Sequence, residues 1–138
     1  MDLQIRNLQA RPVETQAFAR IAERVLAAEN RRLEALSLVF LDDERMREMN
    51  LAYRGLDAPT DVLSFEAEED EEGQTCGEII IAIPTAERQA EAADHSLDRE
   101  LAWLFAHGLL HVLGYDDETE PGLEAMIARQ HQALAPPP

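Results

Sequence analysis

The chain has 138 residues, 46% of them hydrophobic and 29% charged, with 28 acidic side chains against 12 basic ones and a formal net charge of −16. That length suits one compact domain burying about two thirds of its unfolded surface, the single Cys76 excludes an internal disulfide framework, and no stretch reaches the roughly 18 apolar residues of a membrane span. All 12 basic residues are Arg; residues 55–138 hold 3 of them against 19 acids, which is the whole net charge, so the chain's long-range field repels nucleic acid and any RNA role must rest on a local Arg patch in the first half.

The opening MDLQIRNLQA shows no basic run followed by an apolar stretch, so a soluble cytoplasmic protein is expected. Leu3 and Ile5 alternate with polar neighbours as a short strand does, and after Pro12 the stripe Phe18, Ile21, Val25 and Leu26 marks a helix. Residues 34–41, EALSLVFL, read as a mostly buried strand. Asp42 or Asp43 then caps a helix carrying Met46 and Met49. The turn-rich YRGLDAPT leads to two further strands, VLSF at 62–65 and IIIAI at 79–83. Between them EAEEDEEGQT reads as a solvated loop, because a run of like charges favours exposure.

Pro84 and Thr85 open a helix that ends near Asp94, and Ser96 caps another from Leu97 to Leu113, where Gly114 stops it. Leu123, Met126, Ile127 and Leu134 mark a last helix, followed by a frayed tail at 135–138. The expected order is β-α-β-α-β-β-α-α-α in one domain spanning 1–138: an α+β fold with a small four-stranded mixed sheet covered by about five helices.

Chemistry concentrates in HGLLHVLGYDDETE, residues 107–120. His107 and His111 are four apart on a helix, offset by only about 40°, so both imidazoles can reach one ion. Gly114 permits a sharp turn that returns Asp117 from a third direction, with Asp116 and Glu118 as alternatives. Three ligands leave one position open, as catalytic rather than structural zinc sites do. A bare His pair is commonly just two helix residues at a core edge, but core packing does not ask for the glycine and acid that follow. Glu100, seven residues before His107 and about 20° away around the helix, is a candidate for orienting a ligand. His95 and His131 lack ligand-spaced neighbours and read as surface residues, while Cys76, Trp103 and Phe105 read as packing. Ser64 has no identifiable base and reads as a strand residue, and Asp61 as the residue fixing the turn before it.

HGLLHVLGYDD resembles the H-G-x-L-H-L-x-G-Y-D-H motif of the YbeY family of bacterial endoribonucleases and ribosomal RNA maturation factors. RGLDAPTDVLSF, Arg54 to Phe65, is similar to that family's R-x-x-D-x-P-T-D-V-L-S-F, and CGEIIIAI to its G-D-I-x-I strand, with Glu78 in place of Asp. The resemblance covers about residues 50–118. It implies a zincin-like metal helix and a metal-dependent, single-strand-specific endoribonuclease that matures the 3′ end of small-subunit (16S) ribosomal RNA and serves in ribosome quality control. Under it His107, His111 and Asp117 hold the metal, and Arg54, His107 and His111 form the catalytic set. Zn2+ is the implied ion. Single-stranded RNA of the small subunit is the implied substrate, with a ribosomal protein and a ribosome-associated GTPase as partners, and neither DNA nor a membrane. The family's third ligand is His where this chain has Asp117, and its Pro is Glu66 here. A carboxylate ligand lowers the charge of the centre and shifts preference towards harder ions such as Mn2+. Two other readings compete: a zinc peptidase, whose long H-x-x-x-H-x-x-G-x-x-D pattern needs Glu where this chain has Gly108, and a non-enzymatic assembly factor in which the ion only clamps the helix end.

Overall fold

The computed structural model describes residues 1–135; positions 136–138 of the expected tail lie outside the described residues. Four strands, β1 (Asp2–Asn7), β2 (Ala35–Leu41), β3 (Val62–Glu69) and β4 (Thr75–Ala82), form one sheet in the order β1-β2-β4-β3. β1, β2 and β4 run parallel and β3 is antiparallel to β4. β2 and residues 79–82 of β4 are almost wholly apolar because both sheet faces are covered there. Leu36, Leu38, Phe40, Ile79 and Ile81 enter a large core, whereas Val39, Leu41, Ile80 and Ala82 alternate into a smaller one on the other side. Helix α2 (Asp43–Arg54) closes the smaller core with Met46. The large core takes side chains from α1 (Gln16–Glu29), α3 (Ile83–Ala92), α4 (Leu97–Val112) and α5 (Glu120–Leu134). This is the expected α+β architecture.

The helix starts follow the local chemistry. The Asp42 carboxylate accepts the Arg45 N–H at 2.8 Å and the Ser96 hydroxyl oxygen accepts that of Arg99 at 3.1 Å, satisfying donors that a helix start leaves free. Two elements differ from expectation. Residues 66–69 continue β3 instead of forming a loop, and the turn contracts to 70–74, where the Asp70 carboxylate accepts the N–H groups of Glu72 and Gln74. An edge strand needs only backbone bonds on one side, so charge on its solvent face is compatible with pairing. In α5, Leu123 and Ile127 are exposed while Met126, Gln130 and Ala133 are buried. The buried stripe therefore carries a glutamine that apolar periodicity passes over.

Helix α4 is central, packed against β3, β4, α1, α3 and α5, which explains its nearly continuous apolar sequence. Gly108 sets how near it lies to the sheet: a Cβ there would meet Ile79 Cγ2 at 2.9 Å and Val62 Cγ2 at 3.3 Å. We expect Gly108→Ala to destabilise the fold by about 1–2 kcal/mol, overpacking exceeding the gain in helix propensity. Denaturant unfolding will read this as a lower midpoint at unchanged slope.

Candidate metal centre

The end of α4 builds the site. Gly114, at φ 100°, lies just past the helix; its N–H reaches the His111 carbonyl at 2.9 Å and the Tyr115 N–H reaches that of Leu110 at 3.0 Å. This is a Schellman closure, which needs a residue that tolerates positive φ. It reverses the chain over the helix end and delivers Asp117 beside the two imidazoles. His107 Nε2 and His111 Nε2 are 3.1 Å apart, and Asp117 Oδ2 lies 3.2 and 3.3 Å from them. All three side chains are half-buried.

Hydrogen bonds behind the candidate ligands set the protons. His111 Nδ1 faces the Tyr115 carbonyl oxygen at 2.8 Å; a carbonyl only accepts, so Nδ1 carries the proton and the neutral ring presents its lone pair from Nε2. His107 Nδ1 lies 3.3 Å from Gln130 Oε1, and the same amide donates from Nε2 to the Trp103 carbonyl at 3.2 Å. Two imidazole lone pairs and a carboxylate oxygen thus converge with no donor between them, an arrangement that calls for a cation. Tetrahedral bonds of about 2.0–2.2 Å place ligand atoms about 3.3–3.6 Å apart, close to the observed triangle. His107, His111 and Asp117 can hold a metal ion, and they form the one such group among the described residues. The alternatives are placed differently: Asp116 Oδ1 accepts the Glu118 N–H at 2.8 Å, which commits it to its own turn.

The centre opens into a cleft of about 550 Å³ lined also by Arg54, Thr60, Asp61, Ser64, Glu66 and Glu118. Arg54 is the last residue of α2 and exposed; among the described residues its guanidinium is in no ion pair, whereas Arg47, Arg88 and Arg129 are held by Asp57, Asp43 and Glu29. Asp61 faces the same cleft but is occupied, its Oδ1 accepting the Val62 N–H at 2.7 Å and its Oδ2 the Gln89 amide at 3.3 Å. Tyr115 ties the ligand turn to the helices: its hydroxyl donates to Glu29 of α1 and accepts from Arg129 of α5. Burial pushes that phenol above its ordinary pKa, and the bond to Glu29 adds to the rise against the pull of Arg129.

Glu100 does not orient a ligand. It is buried and pairs with His95 Nε2 at 2.7 Å in the turn between α3 and α4. Its 20° offset from His107 counts rotation alone, whereas seven residues also rise about 10 Å along the axis. His95 is accordingly half-buried, not a surface residue, while His131 is exposed and packs at a tilt against Trp103 with ring centroids 4.9 Å apart. Burial, then the neighbouring Asp70 carboxylate, raise the Cys76 pKa, consistent with an unreactive thiol. The residue that sequence reasoning missed is Gln130, 99% buried and 23 positions from the imidazole it touches.

Gly108, next to the first candidate ligand, lies against the sheet, where a side chain would run into Ile79 and Val62. A peptidase base at that position has no room beside them.

Comparison with known proteins gives a consistent result. The family model described as endoribonuclease YbeY matches residues 4–136. The endoribonuclease YbeY of Moorella thermoacetica is 46% identical over 98% of this chain and 96% of its own length. That of Pelotomaculum thermopropionicum is 41% identical over 97% and 95%, and that of Geobacillus thermodenitrificans 50% over 72% and 70%. The solution structure of a Thermotoga maritima protein shares the fold at a TM-score of 0.61 and 24% identity, over 95% of this chain and 88% of the other. Among the described residues no helix is long and apolar enough to cross a membrane.

Proposed function

The chain belongs to the endoribonuclease YbeY family, and from that premise we propose that it is a metal-dependent endoribonuclease cutting single-stranded ribosomal RNA of the small subunit. The ligand triangle of His107, His111 and Asp117, opening into a cleft shared with Arg54, is the observation that carries this reading. The match across residues 4–136 supports treating 1–138 as one catalytic unit. A cytoplasmic site of action, Zn2+ as the resident ion, and a ribosomal protein and a ribosome-associated GTPase as docking partners belong to the same proposal.

Charge composition, which taken alone argues against RNA, is a poor guide here. It averages over the chain, whereas binding is decided in a cleft where an uncommitted guanidinium stands beside the ligand triangle. Five carboxylates, Asp61, Glu66, Asp116, Asp117 and Glu118, line that cleft with Arg54, so admission of a phosphodiester depends on the cations held there.

A divalent ion bound in the triangle supplies Lewis acidity and a water made acidic enough to ionise near neutral pH. The remaining work falls to the chain. The Tyr115 carbonyl and the Gln130 amide keep both Nε2 lone pairs aimed at the cleft. Arg54 grips two phosphate oxygens and stabilises charge as it builds on them. Asp61 holds the turn from which β3 starts and so fixes the opposite wall.

A chelation assay tests the reading. Protein loaded with Zn2+ or Mn2+ is expected to cut a single-stranded RNA and to spare a duplex, with loss of cleavage on metal removal and recovery on re-addition; cleavage that survives full removal refutes it. Asp117→His in the same assay is expected to retain Zn2+ more tightly, because imidazole suits that ion better than a carboxylate does, and to cleave at least as well, because a neutral third ligand leaves the ion its full charge.

A further inference from the structure

We infer that Gln130 of α5 is a positioning residue for the metal centre: it selects the tautomer and ring orientation of His107, and makes the last helix part of the site although no residue of that helix is a ligand. The inference rests on the metal-centre reading above.

The orientation of the Gln130 amide is fixed by what surrounds it. Its Nε2 meets the Trp103 carbonyl oxygen at 3.2 Å, which can only accept, so the NH2 end is there and Oε1 is at the imidazole. Oε1 has no proton to offer, so His107 Nδ1 donates across 3.3 Å and Nε2 is left as the lone-pair nitrogen facing His111 and Asp117. Trp103 stands one turn before His107, so the amide spans that turn and braces the ring against its own helix. Gln130 is 1% exposed. A buried amide is costly unless paired, and each of its two ends meets a partner, one of them the ligand ring. His111 takes its equivalent acceptor, the Tyr115 carbonyl, from the Schellman turn of its own helix. His107 has no such turn within reach and draws its acceptor from α5, a helix secured by Met126 and Ala133 in the core and by Arg24 on the Ala133 carbonyl.

Two measurements test this. The first needs no variant: imidazole 15N shifts of the metal-free protein above pH 8 are expected to show His107 in the Nδ1–H form, and a dominant Nε2–H form overturns the inference. The second titrates cobalt(II) into wild type, Gln130→Met, Gln130→Glu and Arg24→Gln, following the visible absorption of the bound ion. Gln130→Met keeps the length and removes the acceptor; it is expected to bind 10–100-fold more weakly, as loss of an outer partner of a ligating His does, with a changed absorption band. Gln130→Glu restores an acceptor and is expected to recover most of the affinity. Arg24→Gln removes one tie on α5 but leaves the Gln130 acceptor and the core contacts of Met126 and Ala133 in place, and is expected to bind like wild type. Should Gln130→Met not fold, the tautomer and the Glu variant decide. If wild type binds cobalt and Gln130→Met binds it equally with the same band, Gln130 has no positioning role; if wild type binds none, the metal-centre reading itself fails and takes the inference with it.

Discussion

Replacing His111 with Ala is expected to abolish cation retention and RNA cleavage while leaving a folded protein. The side chain supplies one corner of the 3.1–3.3 Å triangle and donates to the Tyr115 carbonyl that begins the ligand turn. Losing an outer partner of a ligand costs about 10–100-fold in metal affinity, so losing the ligand itself should exceed about 100-fold. The fold has less at stake: the imidazole is half-buried, and the backbone bonds that close α4 at Gly114 and Tyr115 do not involve it. Two measurements on the same variant separate catalysis from a purely structural clamp. In cells that contain the variant at normal abundance, immature small-subunit RNA ends should accumulate, whereas a clamp predicts defects only in proportion to lost folded protein. Chelation of wild type should lower the melting temperature through linkage, and His111→Ala should melt near the metal-free wild type. Normal RNA ends in those cells would remove the nuclease reading.

The candidate ligands could be read from the chain because their contacts are local. His107, His111, Gly114 and Asp117 fall within two turns of helix and one reversal, so spacing along the sequence is nearly spacing in the fold. The short apolar runs that become β2 and β4 and the capping residues Asp42 and Ser96 are local in the same sense. What escaped depends on separation along an axis or across the fold. Glu100 shares a helical face with His107 but stands two turns away, and there it meets His95. Gln130 reaches His107 only once α5 has docked, and its signature, a polar residue at a core position of an otherwise apolar stripe, is invisible to a search for apolar periodicity. The acidic run from Glu66 continues an edge strand because backbone pairing with β4 is indifferent to outward-facing charge. The peptidase alternative, weakened in the sequence by Gly108 alone, meets a steric bar in the closeness of Ile79 and Val62.

Arg54→Ala is the change expected to separate binding of RNA from its cleavage. The guanidinium ends α2 at the rim of the cleft, exposed and free of ion pairs among the described residues, and no core residue depends on it. Its removal should cost the fold no more than the helix-end charge interaction, about 0.3–1 kcal/mol, so the melting temperature serves as an internal control. Catalysis should suffer far more. A donor aimed at charge that develops in the transition state is worth about 100–1,000-fold in kcat, and here the loss leaves phosphate among five carboxylates with only the triangle's cation to offset them. Single-turnover kinetics on a single-stranded RNA will show how the loss divides. A fall in kcat with metal affinity unchanged assigns Arg54 to the transition state, whereas a rise in KM at constant kcat assigns it to binding substrate and transition state alike. Arg54→Lys refines the answer, because an ammonium restores the charge without the planar fork that spans two oxygens. Partial recovery by Lys is expected if bidentate contact matters, and full recovery would show that a point charge is enough. Cleavage by Arg54→Ala at the wild-type rate would remove this residue from the mechanism and leave the metal centre to account for the reaction alone.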